Sequence, residues 1–115
     1  MSVTIYHNPR CSKSRQTLAL LEEKGIDPEI ILYLETPPNI DTLAKVLTQL
    51  QLSPRQLLRT GEEEYKTLGL NDLSLSDDKI LAAMTKNPRL IQRPIVIHNN
   101  QARIGRPPEQ VLEIL

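Results

Sequence analysis

The stretch Val3-Thr4-Ile5-Tyr6-His7-Asn8-Pro9-Arg10-Cys11-Ser12-Lys13-Ser14-Arg15 passes from an alternating β-prone run, through a polar turn, into a helical pattern. Residues 3–7 read as a short strand with one face turned inward. Asn8-Pro9-Arg10 supplies the turn chemistry. Residues 12–24 read as a helix with Leu18, Leu20 and Leu21 facing inward, and Gly25 suits its stop. Residues 29–34, rich in Ile and Leu, read as a second strand. A crossover of this length makes the two strands parallel and the connection right-handed.

Working outward, Thr36-Pro37-Pro38 breaks the chain, and Asn39 can cap a helix with Ile40, Leu43, Leu47 and Leu50 on one face. Ser53-Pro54-Arg55-Gln56 is a capping box with proline at the first helical position, opening a short helix through Leu58. Residues 62–68 form one more short helix. Ser76 caps another, with Asp77 and Asp78 in its first turn, Ile80, Leu81 and Met84 on its inner face, and Pro88 at its end. Residues 94–98 read as a strand, Asn99-Asn100 as a hairpin turn and residues 101–104 as the partner strand. Gly105 breaks that strand, and Pro108 begins a final helix with Val111, Leu112 and Leu115 toward the core. The order is β-α-β, a helical insert at about residues 38–90, then β-β-α. It predicts an α/β, thioredoxin-like fold: one domain over residues 1–115, with a small mixed four-stranded sheet flanked by helices.

The 115 residues suffice for one core, which must be aliphatic, because Phe and Trp are absent and Tyr occurs three times. Fourteen Lys and Arg balance fourteen Asp and Glu, so no global charge draws nucleic acid or membrane, and any anion site has to be built locally. No apolar run approaches the roughly 20 residues of a membrane span. No secretory leader pattern is visible at the N-terminus. A single cysteine allows no internal disulfide and no cysteine-based zinc site, and we expect a cytoplasmic protein without bound metal or cofactor.

That cysteine, Cys11, is the candidate nucleophile. A free cysteine is commonly a small core residue, but this one lies in a polar turn at a helix start. The first helical amides lack internal partners, and the helix dipole adds positive charge there. Both favour the thiolate, as do Arg10, Lys13 and Arg15 nearby. The same groups would bind an oxyanion beside the sulfur. Ser14 makes a C-x-x-S spacing that puts its hydroxyl one turn along, a possible donor to the thiolate but no resolving thiol. His7, ending the first strand, would stabilise the thiolate as an imidazolium, or else simply bond local backbone. Arg59, Arg93 and Arg106 each stand beside a turn or break, and would matter only if the fold gathers them.

The run from Ile5 to Arg15 resembles the active-site loop of the glutaredoxin-coupled arsenate reductases of the ArsC type. The likeness continues through Leu32-Tyr33-Leu34-Glu35-Thr36-Pro37, Leu57-Leu58-Arg59, Arg93-Pro94-Ile95-Val96 and Gly105-Arg106-Pro107-Pro108-Glu109, and it is greatest with the short YfgD-type members. The resemblance implies that Cys11 is the nucleophile, with His7 helping to depress its pKa and Ser14 placing a hydroxyl beside the sulfur. It implies that Arg59, Arg93 and Arg106 gather around the oxyanion, and that Pro94 is a cis-proline facing the site. The implied reaction reduces arsenate to arsenite, with glutathione as external thiol and glutaredoxin as partner. Ser12-Lys13 stands where the resistance determinants have Gly-Thr. Two other readings stay open: a glutathione-linked thiol oxidoreductase with a substrate other than arsenate, and a non-enzymatic regulator of the Spx type that binds RNA polymerase.

Overall fold

In the computed structural model, which describes residues 2–115, the chain runs β1 (Val3–Tyr6), α1 (Ser12–Glu23), β2 (Glu29–Ile31), α2 (Ile40–Leu50), α3 (Pro54–Leu57), α4 (Glu63–Thr67), α5 (Asp77–Lys86), a 3₁₀ helix (Pro88–Leu90), β3 (Ile95–His98), β4 (Gln101–Ile104) and a second 3₁₀ helix (Pro108–Ile114). The four strands form one mixed sheet in the order β2-β1-β3-β4. β1 pairs in parallel with β2, placing Ile5 beside Ile30, and antiparallel with β3, placing Ile5 beside Val96. This is the thioredoxin-like α/β arrangement that the order of elements predicts. Its contacts divide the chain into two compact units, residues 1–36 with 93–115, and residues 37–92. No helix among the described residues is long and apolar enough to cross a membrane.

The first unit carries the sheet. Val3, Ile5, Leu21, Val96, Val111 and Ile114 form its core, with Leu18, Leu20 and Ile26 partly buried at the margin. Burial of such aliphatic surface is the main favourable term in holding the layers together. Asn99 and Asn100 both adopt positive φ, 56° and 64°, as a two-residue turn of type I′ requires, so β3 and β4 reverse tightly. Gly25, at φ +75°, lets the chain leave α1 in the left-handed region.

The structure corrects three sequence expectations. The second strand stops at Ile31 rather than reaching residue 34. Its ladder ends where the His7 amide bonds the Ile31 carbonyl at 2.9 Å, because beyond His7 the neighbouring chain turns away toward Cys11. Leu32 then starts a turn, its carbonyl accepting from the amides of Glu35 and Thr36. The final helix is 3₁₀ and not α. Three residues per turn put Pro108, Val111 and Ile114 on the buried face and leave Leu112 and Leu115 exposed. In the second unit, Val46 takes the inward place expected of Ile40, which is 45% exposed.

The second unit is a helical cluster built on Leu43, Val46, Leu47 and Leu50 of α2, Leu57 of α3, Ile80, Leu81 and Met84 of α5, and Leu90. Its sequence caps form as read. Asn39 Oδ1 accepts from the Thr42 amide at 2.8 Å, Gln56 Oε1 from the Ser53 amide at 2.8 Å, and Ser76 Oγ from the Lys79 amide at 3.3 Å.

The 3₁₀ register has a measurable consequence. Ile114→Ala should cost about 2–5 kcal/mol in denaturant unfolding, as for a buried aliphatic, and Leu112→Ala under about 1 kcal/mol. The α-helical register would give Leu112 the larger cost.

Candidate active site

Four segments of the first unit converge on Cys11: the loop from His7 to Arg10, the first turn of α1, and the two segments around Pro94 and Gly105. The loop is shaped by Asn8. Its Oδ1 accepts from the Arg10 amide at 3.0 Å, and its carbonyl accepts from the Cys11 amide at 3.0 Å. Asn8 is 8% exposed. The side-chain bond two residues along is the turn asparagine favours, and the Asn-Pro pair was its signal in the sequence. Arg15 ties the helix back to this turn, Nη1 donating to the Pro9 carbonyl at 2.9 Å.

Cys11 sits at the N-cap of α1 in extended conformation, φ −95° and ψ 124°. No acidic residue occupies the first turn, so no carboxylate competes for the helix amides. Burial raises the thiol pKa. The Ser14 amide, the Arg93 guanidinium as donor and as charge, and the Lys13 amide outweigh that, leaving it below its ordinary 9.0. Arg106 Nη2 also donates to the sulfur at 3.6 Å, while its Nε donates to the Arg93 carbonyl at 2.9 Å. The sulfur therefore faces two guanidiniums and two helix amides, a set that would equally serve a bound oxyanion.

Beneath Cys11, Ser14 is fully buried. Its Oγ accepts from the Asn8 amide at 3.0 Å and lies 2.6 Å from His7 Nδ1. Burial and then the charge of Arg15 lower the His7 pKa from 6.5, which favours the neutral ring. Both effects work against the imidazolium that the sequence suggested. A neutral Nδ1 can accept the Ser14 proton. The hydroxyl expected at the thiolate is thus engaged with His7 and Asn8, and Ser14 serves the sulfur through its amide instead.

Arg93 and Arg106 thus meet at Cys11. Arg59 belongs to the second unit, where Nε donates to Glu62 at 3.3 Å, Nη1 to Gln92 at 3.3 Å, and the Arg59 amide to the Leu90 carbonyl at 2.7 Å. The Arg93–Pro94 peptide is cis, as the resemblance implies, and Arg106–Pro107 is cis as well. Among the described residues no three His, Cys, Asp or Glu side chains gather as a metal site would require.

The sequence reading took Asn8 only as turn chemistry and missed Thr17. Thr17 is fully buried, its Oγ1 donating to the Lys13 carbonyl at 2.8 Å. The inward face of α1 therefore begins with two small hydroxylated residues, Ser14 and Thr17, before reaching Leu21. A search for leucine periodicity passes over them.

The model of the ArsC family matches residues 6–114. A protein of Escherichia coli K12 named YfgD is 58% identical over 114 residues, covering 98% of this chain and 96% of that one. An arsenate reductase of Haemophilus influenzae is 53% identical over 116 residues, covering the whole of both chains. The solved structure of an arsenate reductase from Vibrio cholerae superimposes with a TM-score of 0.98 at 60% identity, covering 100% of this chain and 98% of that one.

The lowered thiol predicts a signed pH dependence. Between the folded pKa and the unfolded value near 9.0, the unfolded chain binds more protons on Cys11 than the native one. Wild type should therefore gain stability over Cys11→Ser as pH rises through that window, hold the full gain above it, and lose it as pH falls through the folded pKa. Denaturant unfolding of both proteins across this range measures it. A difference that is flat in pH contradicts the assignment.

Proposed function

The chain belongs to the ArsC family, and on that footing we propose that it is an arsenate reductase that draws its electrons from glutathione and glutaredoxin. The Cys11 thiolate attacks arsenic, forming a sulfur–arsenic bond as an arsenate oxygen leaves as water after taking up protons. A glutathione thiolate then attacks the Cys11 sulfur. The sulfur–arsenic bond breaks, its electron pair stays on arsenic, and As(V) becomes As(III). Arsenite departs and leaves a Cys11–glutathione disulfide. A glutaredoxin thiolate attacks the glutathione sulfur of that disulfide and releases the Cys11 thiolate, and a second glutathione recycles glutaredoxin. Arsenate plus two glutathiones gives arsenite, glutathione disulfide and water.

The observation that carries this reading is the sulfur itself, held low in pKa and set against Arg93 and Arg106. An anionic nucleophile attacking an anion gains rate when fixed cations and amides already face the place where charge accumulates. The external thiol follows from Cys11 being the chain's one cysteine. With Ser14 in the C-x-x-S position, the disulfide has to be made with another molecule.

Arsenate-dependent NADPH oxidation, coupled through glutathione, glutathione reductase and glutaredoxin, tests the proposal. Wild type should turn over and Cys11→Ser should not. Arg93→Ala and Arg106→Ala should each weaken arsenate binding at least about tenfold, the worth of one charge-assisted hydrogen bond, with folding retained. Turnover supported by thioredoxin alone would contradict the glutathione step. Glutathione-dependent reduction of a disulfide without any arsenate response would move the substrate from arsenate to an organic disulfide.

A further inference from the structure

Gly105 is buried at the end of β4, where its amide donates to the Pro94 carbonyl at 3.0 Å. Its backbone does not lie in the left-handed region, so conformational freedom is not what the position demands. The demand is space. A Cβ built there would fall 2.8 Å from Pro94 Cγ and 3.2 Å from Thr17 Cγ2, and still nearer to Thr17 Oγ1. Real Cβ contacts are essentially never below 3.0 Å. Neither wall yields easily. Thr17 is fully buried with its hydroxyl bonded into α1, and Pro94 is a buried ring.

Both walls carry the site. Pro94 follows Arg93, and Thr17 lies one turn along α1 from Lys13 and Ser14, whose amides face the sulfur. Immediately after Gly105, Arg106 bonds the Arg93 carbonyl through Nε and the Cys11 sulfur through Nη2. We propose that Gly105 is a positioning residue: its missing side chain lets the end of β4 close onto Thr17 and Pro94, and that closure aims both guanidiniums at Cys11. Thr17 is its counterpart, a side chain small enough to complete the fit from the helix side. Any side chain at 105 separates the β4 end from α1 and the Arg93–Pro94 segment, and the arginines go with it.

This inference rests on Cys11 being the working thiolate but not on arsenate being its substrate. It is therefore read without arsenate, from the thiol pKa given by the pH dependence of alkylation. Gly105→Ala should raise that pKa by about one unit, the scale of a displaced neighbouring cation. In an Arg93→Ala/Arg106→Ala background the same substitution should leave the pKa unmoved, because nothing remains to be misaimed. Thr17→Ala combined with Gly105→Ala removes one wall and should bring the pKa back toward wild type. A general loss of structure would produce neither the silence in the arginine-free background nor this rescue. Thr17→Val, which swaps the hydroxyl for a slightly larger methyl, presses on Gly105 from the other side. It should shift the pKa in the same direction by less, and it answers the question if Gly105→Ala does not fold. A folded Gly105→Ala protein with a wild-type thiol pKa overturns the proposal, as does an equal rise in the arginine-free background. If Gly105→Ala does not fold, an unmoved pKa in Thr17→Val overturns it. Failure of arsenate turnover with these shifts intact would instead count against the substrate.

Discussion

The amides at the start of α1 have no carbonyl within the helix to bond, and the sulfur of Cys11 lies where they point. Most of the first unit can be read as support for that alignment. β1 delivers the chain to the turn, and Asn8 closes the turn so that Cys11 arrives at the N-cap in extended conformation. Leu21 anchors the far end of α1 in the aliphatic core, while Ser14 and Thr17 keep the near end slim enough for other backbone to approach. The helix contributes direction and the loops contribute charge. Burial works against both, since it favours the neutral thiol, and the donors outweigh it only because several act on one atom.

The fold was legible where local rules and global order agreed. The β-α-β opening, the Asn99-Asn100 reversal and the caps at Asn39, Gln56 and Ser76 each follow from residue types at fixed offsets, and each forms as read. What misled was hydrophobicity without a partner. Leu32 and Leu34 have strand propensity, but β1 has by then turned away and left no edge to pair with. The same happened at the C-terminus. Val111, Leu112 and Leu115 suit an α-helical face, whereas packing on the sheet selects a three-residue period that takes Ile114 and releases Leu112.

The candidate site divides in the same way. Cys11 could be singled out from composition and position, and the turn before it from Asn-Pro. The meeting of Arg93, Arg106 and Cys11 was implied by the resemblance but not by composition or position, because arginines more than eighty residues from Cys11 reach it only through the pairing of β1 with β3 and β3 with β4. His7 shows a further limit. Its nearness to Cys11 was plain in the sequence, but its charge state depends on burial and on Arg15, which sequence spacing does not report.

The lowered pKa of His7 bears on how the site responds to its surroundings. Backbone amides do not titrate, and a guanidinium keeps its charge at any pH a protein survives. With the imidazolium disfavoured by burial and by Arg15, the lasting positive polarity around the sulfur comes from those groups. The nucleophile itself follows the proton on sulfur. Acidification through the Cys11 pKa withdraws nucleophile, while the amides and guanidiniums that receive the anion keep their polarity. The receptor half of the site is constant, and only the reactive half is metered by pH.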